Sequence, residues 1–130
     1  MAEKQSERIS EFLDWLRESD TIYNMAQATA EEESKKTQDI LHKLELGSTT
    51  YHERAKLGRA LIDIRKKRRE AKDTIAVLEP VVGWKEENKS CIGSLERLLG
   101  QVRKEEINTE GRIYYPRTGI VEETLGGRKE

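Results

Sequence analysis

Apolar and small residues recur at alternating steps of three and four through the first third of the chain. They are Ile9, Phe12, Leu16, Ser19, Tyr23, Ala26 and Ala30, then the polar Glu33 and Thr37, then Ile40 and Leu44. This spacing keeps one stripe on one side of a helix with a coiled-coil period. It predicts a first helix over 6–46, about 60 Å long at 1.5 Å per residue. The stripe is thin at its middle, where alanine, glutamate and threonine stand in for large apolar side chains. Gly47 follows, where helices commonly use a left-handed cap. Thr50-Tyr51-His52-Glu53 fits a capping box and opens a second stripe of Leu57, Leu61, Ile64, Arg68, Ala71, Ile75 and Leu78. The second helix is predicted over 50–79, because Pro80 lacks the N–H and disfavours helix in the residue before it. Two striped helices joined by so few residues must fold back antiparallel.

Beyond Pro80 the pattern changes. Residues 81–91, with Trp84 and Asn88, read as an irregular connection. Ile92, Leu95, Leu98, Leu99 and Val102 predict a third helix over 92–106. Arg112-Ile113-Tyr114-Tyr115-Pro116-Arg117 predicts an extended segment over 111–118, with the tyrosines on opposite faces. Residues 119–130 read as a frayed tail. The chain is thus expected to be a single mainly α domain over 1–130. It is a long antiparallel two-helix hairpin with a short third helix and a small C-terminal extended or β element. Leu13, Met25, Leu41, Ile62 and Val77 lie off the stripes, more than one short helix would cover, which predicts a homo-oligomer.

Composition supports this picture. Of 130 residues, 35% are apolar and 38% charged, as suits long solvated helices. No apolar run approaches the ~20 residues of a membrane span, and Met1–Ser6 is too polar for a signal peptide. Cys91 is the only cysteine. A cytoplasmic protein without a membrane partner is expected.

Charge adds an asymmetry. The net charge is −1, but residues 1–47 hold 11 acids and 6 bases, and residues 48–79 hold 5 acids and 9 bases. With the turn at Ser48, residue 48 − n faces residue 48 + n. Glu31, Glu32 and Glu33 then fall beside Arg65, Lys66 and Lys67, and Arg68 lies opposite Ala28 and Ala30. On that register the arms neutralise one another, and a nucleic-acid partner is not expected. The competing reading takes the basic second helix as a contact for nucleic acid, or for a protein that the chain inhibits.

Candidate chemistry is confined to a few residues. Arg68 sits on the inward stripe and needs an anionic partner, either a carboxylate or a ligand phosphate. Trp84 either covers the open end by packing on Phe12 and Trp15 or offers a stacking face for a flat ring. Arg112 and Arg117 flank two tyrosines on a short extended element. They suit bidentate phosphate contacts with Tyr114 alongside, or they protect a strand edge from aggregation. His42 and His52 flank the turn as surface residues without a metal-ligand set. No phosphate loop, nucleophile elbow or inward carboxylate pair is present, so neither an enzyme, a metal site nor a cofactor is expected.

Several stretches in order resemble one family. They are Leu41-His42-Lys43-Leu44-Glu45-Leu46, the basic helix from Arg54 to Arg69, Leu78-Glu79-Pro80, Leu98-Leu99-Gly100-Gln101-Val102-Arg103-Lys104, and Arg112 to Arg117. Together they resemble the first-described phage Thoeris anti-defence proteins, sponges that capture cyclic ADP-ribose signals made by bacterial TIR enzymes. The resemblance implies a homo-oligomer that holds its signal uncleaved in pockets between protomers, in the cytoplasm of an infected bacterium. Related proteins also sequester cyclic oligonucleotides. It implies that Trp84 stacks on the purine, that Arg59 or its neighbours grip pyrophosphate and riboses with Arg112 and Arg117, and that Asn88 makes a polar contact.

Overall fold

The computed structural model describes residues 4–126. It contains four helices: α1 (Gln5–Leu46), α2 (Tyr51–Glu87), α3 (Lys89–Glu110) and α4 (Ile120–Gly126). The chain is mainly α, with helix over 88% of the described residues and no strand among them. α1 and α2 form the antiparallel hairpin, and α3 packs chiefly against α1. Among the described residues no helix is long and apolar enough to cross a membrane.

The turn is built from local chemistry. Thr50 Oγ1 accepts the Glu53 N–H at 3.1 Å and the Glu53 carboxylate accepts the Thr50 N–H at 2.9 Å, closing the capping box. Arg54 clamps the same turn by donating from Nε to Thr49 Oγ1 and from its guanidinium to Thr49 O. Gly47 is not left-handed; it is extended, with φ −92° and ψ 160°. Its requirement is space, because a Cβ there would meet Lys43 O at 2.7 Å.

Packing follows the α1 stripe closely. Leu16, Ser19, Ala26, Ala30 and Glu33 are buried, with Leu16 only 1% exposed. Ala26, Ala30 and Ala71 form a narrow waist, with Ile75 packed against it. One position differs. Phe12 is half-exposed, whereas Leu13 is 2% exposed. Leu13 lies seven residues, two turns, after Ser6, on the same side of α1. The Ser6 N–H donates to Glu106 of α3 at 3.2 Å, so α3 covers this side and draws Leu13 inward. Met25, Ile62 and Val77 remain 66%, 56% and 72% exposed, so α3 does not cover the rest of the off-stripe set.

Three boundaries are corrected. α2 does not stop before Pro80; the proline lies inside the helix, which runs on to Glu87. Val82 and Lys85 continue the four-and-three stripe past it, and Lys85 pairs with Asp20 of α1. This tertiary anchoring outweighs the one backbone hydrogen bond that proline forfeits. The predicted irregular connection over 81–91 therefore shrinks to the break at Asn88, and α3 starts at Lys89 rather than 92 and ends at Glu110 rather than 106. The predicted extended or β element does not form a strand; 112–117 is irregular chain. Within the predicted frayed tail, Ile120–Gly126 is helical, and 127–130 lie outside the described residues.

The Glu53 and Glu106 carboxyls are held below the usual carboxylate range. Hydrogen bonds from the Thr50 backbone act on the first, and those from the Ser6 side chain and backbone act on the second. A depressed folded-state pKa contributes stability that is full above the unfolded value and is lost as pH falls through the folded one. Helix content at the start of α2 and the α1–α3 contact are expected to hold at pH 6. Both should loosen below about pH 4.3, as followed by amide exchange.

Candidate ligand-binding site

Three aromatic residues, Phe12, Trp15 and Trp84, gather at the open end of the hairpin. Phe12 and Trp15 lie one turn apart on α1, with ring centroids 5.8 Å apart and planes tilted by 37°. Pro80, Val81 and Trp84 face them from α2, and Leu16 completes an almost wholly apolar cleft of about 260 Å³. The extension of α2 through Pro80 is what carries Trp84 to this place. All three rings remain at least 40% exposed, so packing has not consumed their faces.

Asn88 sits beside this cleft but is already engaged. Its side-chain amide donates to Trp84 O at 2.8 Å and caps the end of α2. The tail begins nearby. Lys4 Nζ lies 3.2 Å from the Glu110 carboxylate, which places the end of α3 beside the start of α1. From Lys4 to Phe12 is about 12 Å along the helix axis. Arg112, Tyr114 and Arg117 follow Gly111 and are exposed. They therefore originate at the same end of the molecule as the aromatic cleft.

Arg59 and Arg68 do not belong to this end. Along α2, Arg59 lies about 37 Å and Arg68 about 24 Å from Trp84. One chain does not bring all seven predicted residues into a single pocket.

The middle of the hairpin corrects the expected pairing. Arg68 Nε donates to Ser34 Oγ at 2.8 Å rather than lying opposite Ala28 and Ala30. Helix side chains lean toward their own N-terminus. In this hairpin those of α2 lean toward the turn and those of α1 lean away from it. Contacting residues thus carry higher numbers than positions level along the axis. The predicted acid–base ladder is also mostly absent. Glu31 pairs with Lys35 at 3.6 Å and Glu32 with Lys36 at 3.7 Å, both within α1. Only Glu33 reaches across, to Lys67 at 4.0 Å. The i,i+4 spacing that produces the local pairs is legible in the sequence, and it competes with any cross-hairpin partner.

Glu33 is 3% exposed. One of its oxygens lies 3.2 Å from Lys36 Nζ, and the other, Oε2, accepts no hydrogen bond among the described residues. The Glu33 contact holds the Lys36 ammonium above the usual lysine range. A buried carboxylate oxygen without a donor costs stability, while the two lysines can return to water. Glu33→Leu is therefore expected to stabilise the hairpin by about 1–2 kcal/mol, read as a higher melting temperature by circular dichroism. A lower melting temperature would contradict this account of the waist.

Among the described residues no group of three or more histidine, cysteine, aspartate or glutamate side chains could hold a metal ion. His42, His52 and Cys91 are exposed. In comparisons with known proteins, the chain matches no family model, no curated sequence and no solved structure.

Proposed function

We propose that the chain is a non-catalytic sponge for cyclic ADP-ribose-type nucleotide signals. In this reading a phage encodes it, and it acts in the cytoplasm of the infected host. The observation that carries the reading is the meeting of two chemistries at one end of the hairpin. An open aromatic cleft around Trp84 lies beside the origin of a tail bearing Arg112, Tyr114 and Arg117. A dinucleotide with a purine and a pyrophosphate needs a stacking face and fixed guanidinium groups.

The cleft of about 260 Å³ falls below the usual range for ligand pockets, roughly 300–1,000 Å³. It suits one base, and the rest of the ligand must be held by the tail and by a second protomer. The exposed Met25, Ile62 and Val77 supply apolar surface for that association. A second chain is also the route by which Arg59 and Arg68, far from Trp84 in their own chain, would join a pocket. Sequestration requires tight binding and no general base. Nanomolar affinity corresponds to about −12 kcal/mol.

The test is depletion. Purified protein is mixed with a substoichiometric cyclic ADP-ribose isomer, filtered, and the free signal measured by mass spectrometry. The free signal should fall, and heating should return it chemically intact. Undepleted signal overturns the reading, and recovery of a hydrolysed product replaces it with an enzyme.

A further inference from the structure

The basic run of α2 has lost the neutralising role that the sequence suggested for it. Glu31 and Glu32 are engaged by Lys35 and Lys36 within α1, and of the run only Lys67 reaches a carboxylate across the hairpin. Arg59, Arg65, Lys66, Arg69 and Lys72 are exposed, and their side chains form no hydrogen bond or ion pair with a described residue. At 100° per residue, Ile62, Arg65, Lys66, Arg69 and Lys72 fall within an arc of about 120° on α2, which runs from the edge of the stripe packed on α1 (Lys72, Arg65) round to the opposite side (Lys66). Ile62, Arg65, Lys66, Arg68, Arg69 and Glu70 line a concavity of about 460 Å³ on this side. Asp63, Glu70 and Asp73 lie within or beside the row, one turn from Arg59, Lys66 and Arg69 respectively, and none forms an ion pair with it among the described residues.

The kind of anion follows from what the surface lacks. A helix lying on a membrane needs a broad apolar side, and between Arg59 and Lys72 this side offers one large exposed apolar residue, Ile62. Binding an acidic peptide tightly calls for an aromatic or aliphatic anchor pocket at the centre of the contact. Stacking single-stranded bases also needs rings. No phenylalanine, tyrosine or tryptophan occurs between Tyr51 and Trp84. What remains is a row of guanidinium and ammonium groups at helical spacing, three of the five being arginine, suited to bidentate contacts with phosphate oxygens. The acidic α1 arm would repel a polyanion and so confine the contact to α2.

We propose that this side of α2 is a binding surface for the phosphate backbone of double-stranded nucleic acid, without sequence selectivity. Ile62, Arg59 and Arg68 are shared with the association proposed above, whereas Arg65, Lys66, Arg69 and Lys72 serve this surface alone, so the triple change named below tests it separately from the Trp84 cleft.

The test uses the full chain and a fluorescently labelled duplex of random sequence, followed by anisotropy between 50 and 200 mM salt. Four neutralised phosphates would give a log–log slope of about −3.6. Changing Arg65, Lys66 and Arg69 together to glutamine should weaken binding at least tenfold at low salt and flatten the slope by about 2.7. Lys35→Gln, on α1, should leave both unchanged, and circular dichroism confirms that each variant is folded. A slope near zero, or a slope unaffected by the triple change, overturns the proposal. So does tighter binding to vesicles containing anionic lipid than to the duplex.

Discussion

Leu13→Ala is expected to cost about 3 kcal/mol of unfolding free energy, whereas Phe12→Ala should cost about 1 kcal/mol. The neighbours differ because Leu13 is 2% exposed and Phe12 40% exposed. Periodicity alone assigns the inward position to Phe12. The structure reverses this because α3 docks on the Ser6 side of α1, as the Ser6–Glu106 hydrogen bond marks. Truncating Leu13 would open a cavity between α1 and its covering helix, which a rigid helix cannot collapse to fill. Phe12 gives up contacts that water already partly replaces. In urea, with a slope near 2 kcal/mol per molar, the midpoints would fall by about 1.5 M and 0.5 M respectively. Equal shifts would mean that α3 does not pack as described.

Trp84→Ala is the second large effect, and it concerns binding rather than folding. The ring is 41% exposed in a cleft that it shares with Phe12 and Trp15. Its removal should cost no more than about 1 kcal/mol of stability, as at Phe12, while weakening capture of the cyclic signal. Stacking of a base on an aromatic ring is worth about 2 kcal/mol, or roughly 30-fold in dissociation constant. Calorimetric titration of the wild type and the variant reads the difference. A variant that loses stability but keeps affinity would make Trp84 a cover for the open end. That is the alternative its half-exposure argues against.

The first helix, the capping box and the antiparallel hairpin were all legible, because a four-and-three stripe and a Thr-x-x-Glu start are local signals. Pro80 misled because its rule is also local: it forfeits one hydrogen bond, while Val82 and Lys85 continue the stripe and Lys85 pairs with Asp20. The tyrosines and Pro116 of the tail suggest an extended segment. A strand, however, needs a partner to satisfy its backbone, and none exists among the described residues. In the site, Trp84 near Phe12 and Trp15 followed from topology. The fate of Glu31–Glu33 did not. Whether an acid pairs along its own helix or across the hairpin depends on side-chain lean, which residue numbers alone do not carry.

The two surfaces also differ in what they would tolerate. Contacts along the exposed side of α2 are screened by salt, and losing any one cation should matter little. A base held between rings is far less sensitive to salt, so capture at the Trp84 end should persist at 200 mM salt, where duplex binding fades.

The most direct test of the sponge reading is a native mass spectrum of the purified chain, recorded with and without a cyclic ADP-ribose isomer at micromolar concentration. The account predicts an oligomer whose mass rises by whole numbers of intact ligand, with Trp84→Ala showing the same oligomer and little or no adduct. A spectrum of unliganded protein at saturating signal, or one carrying only a cleaved product, would contradict it.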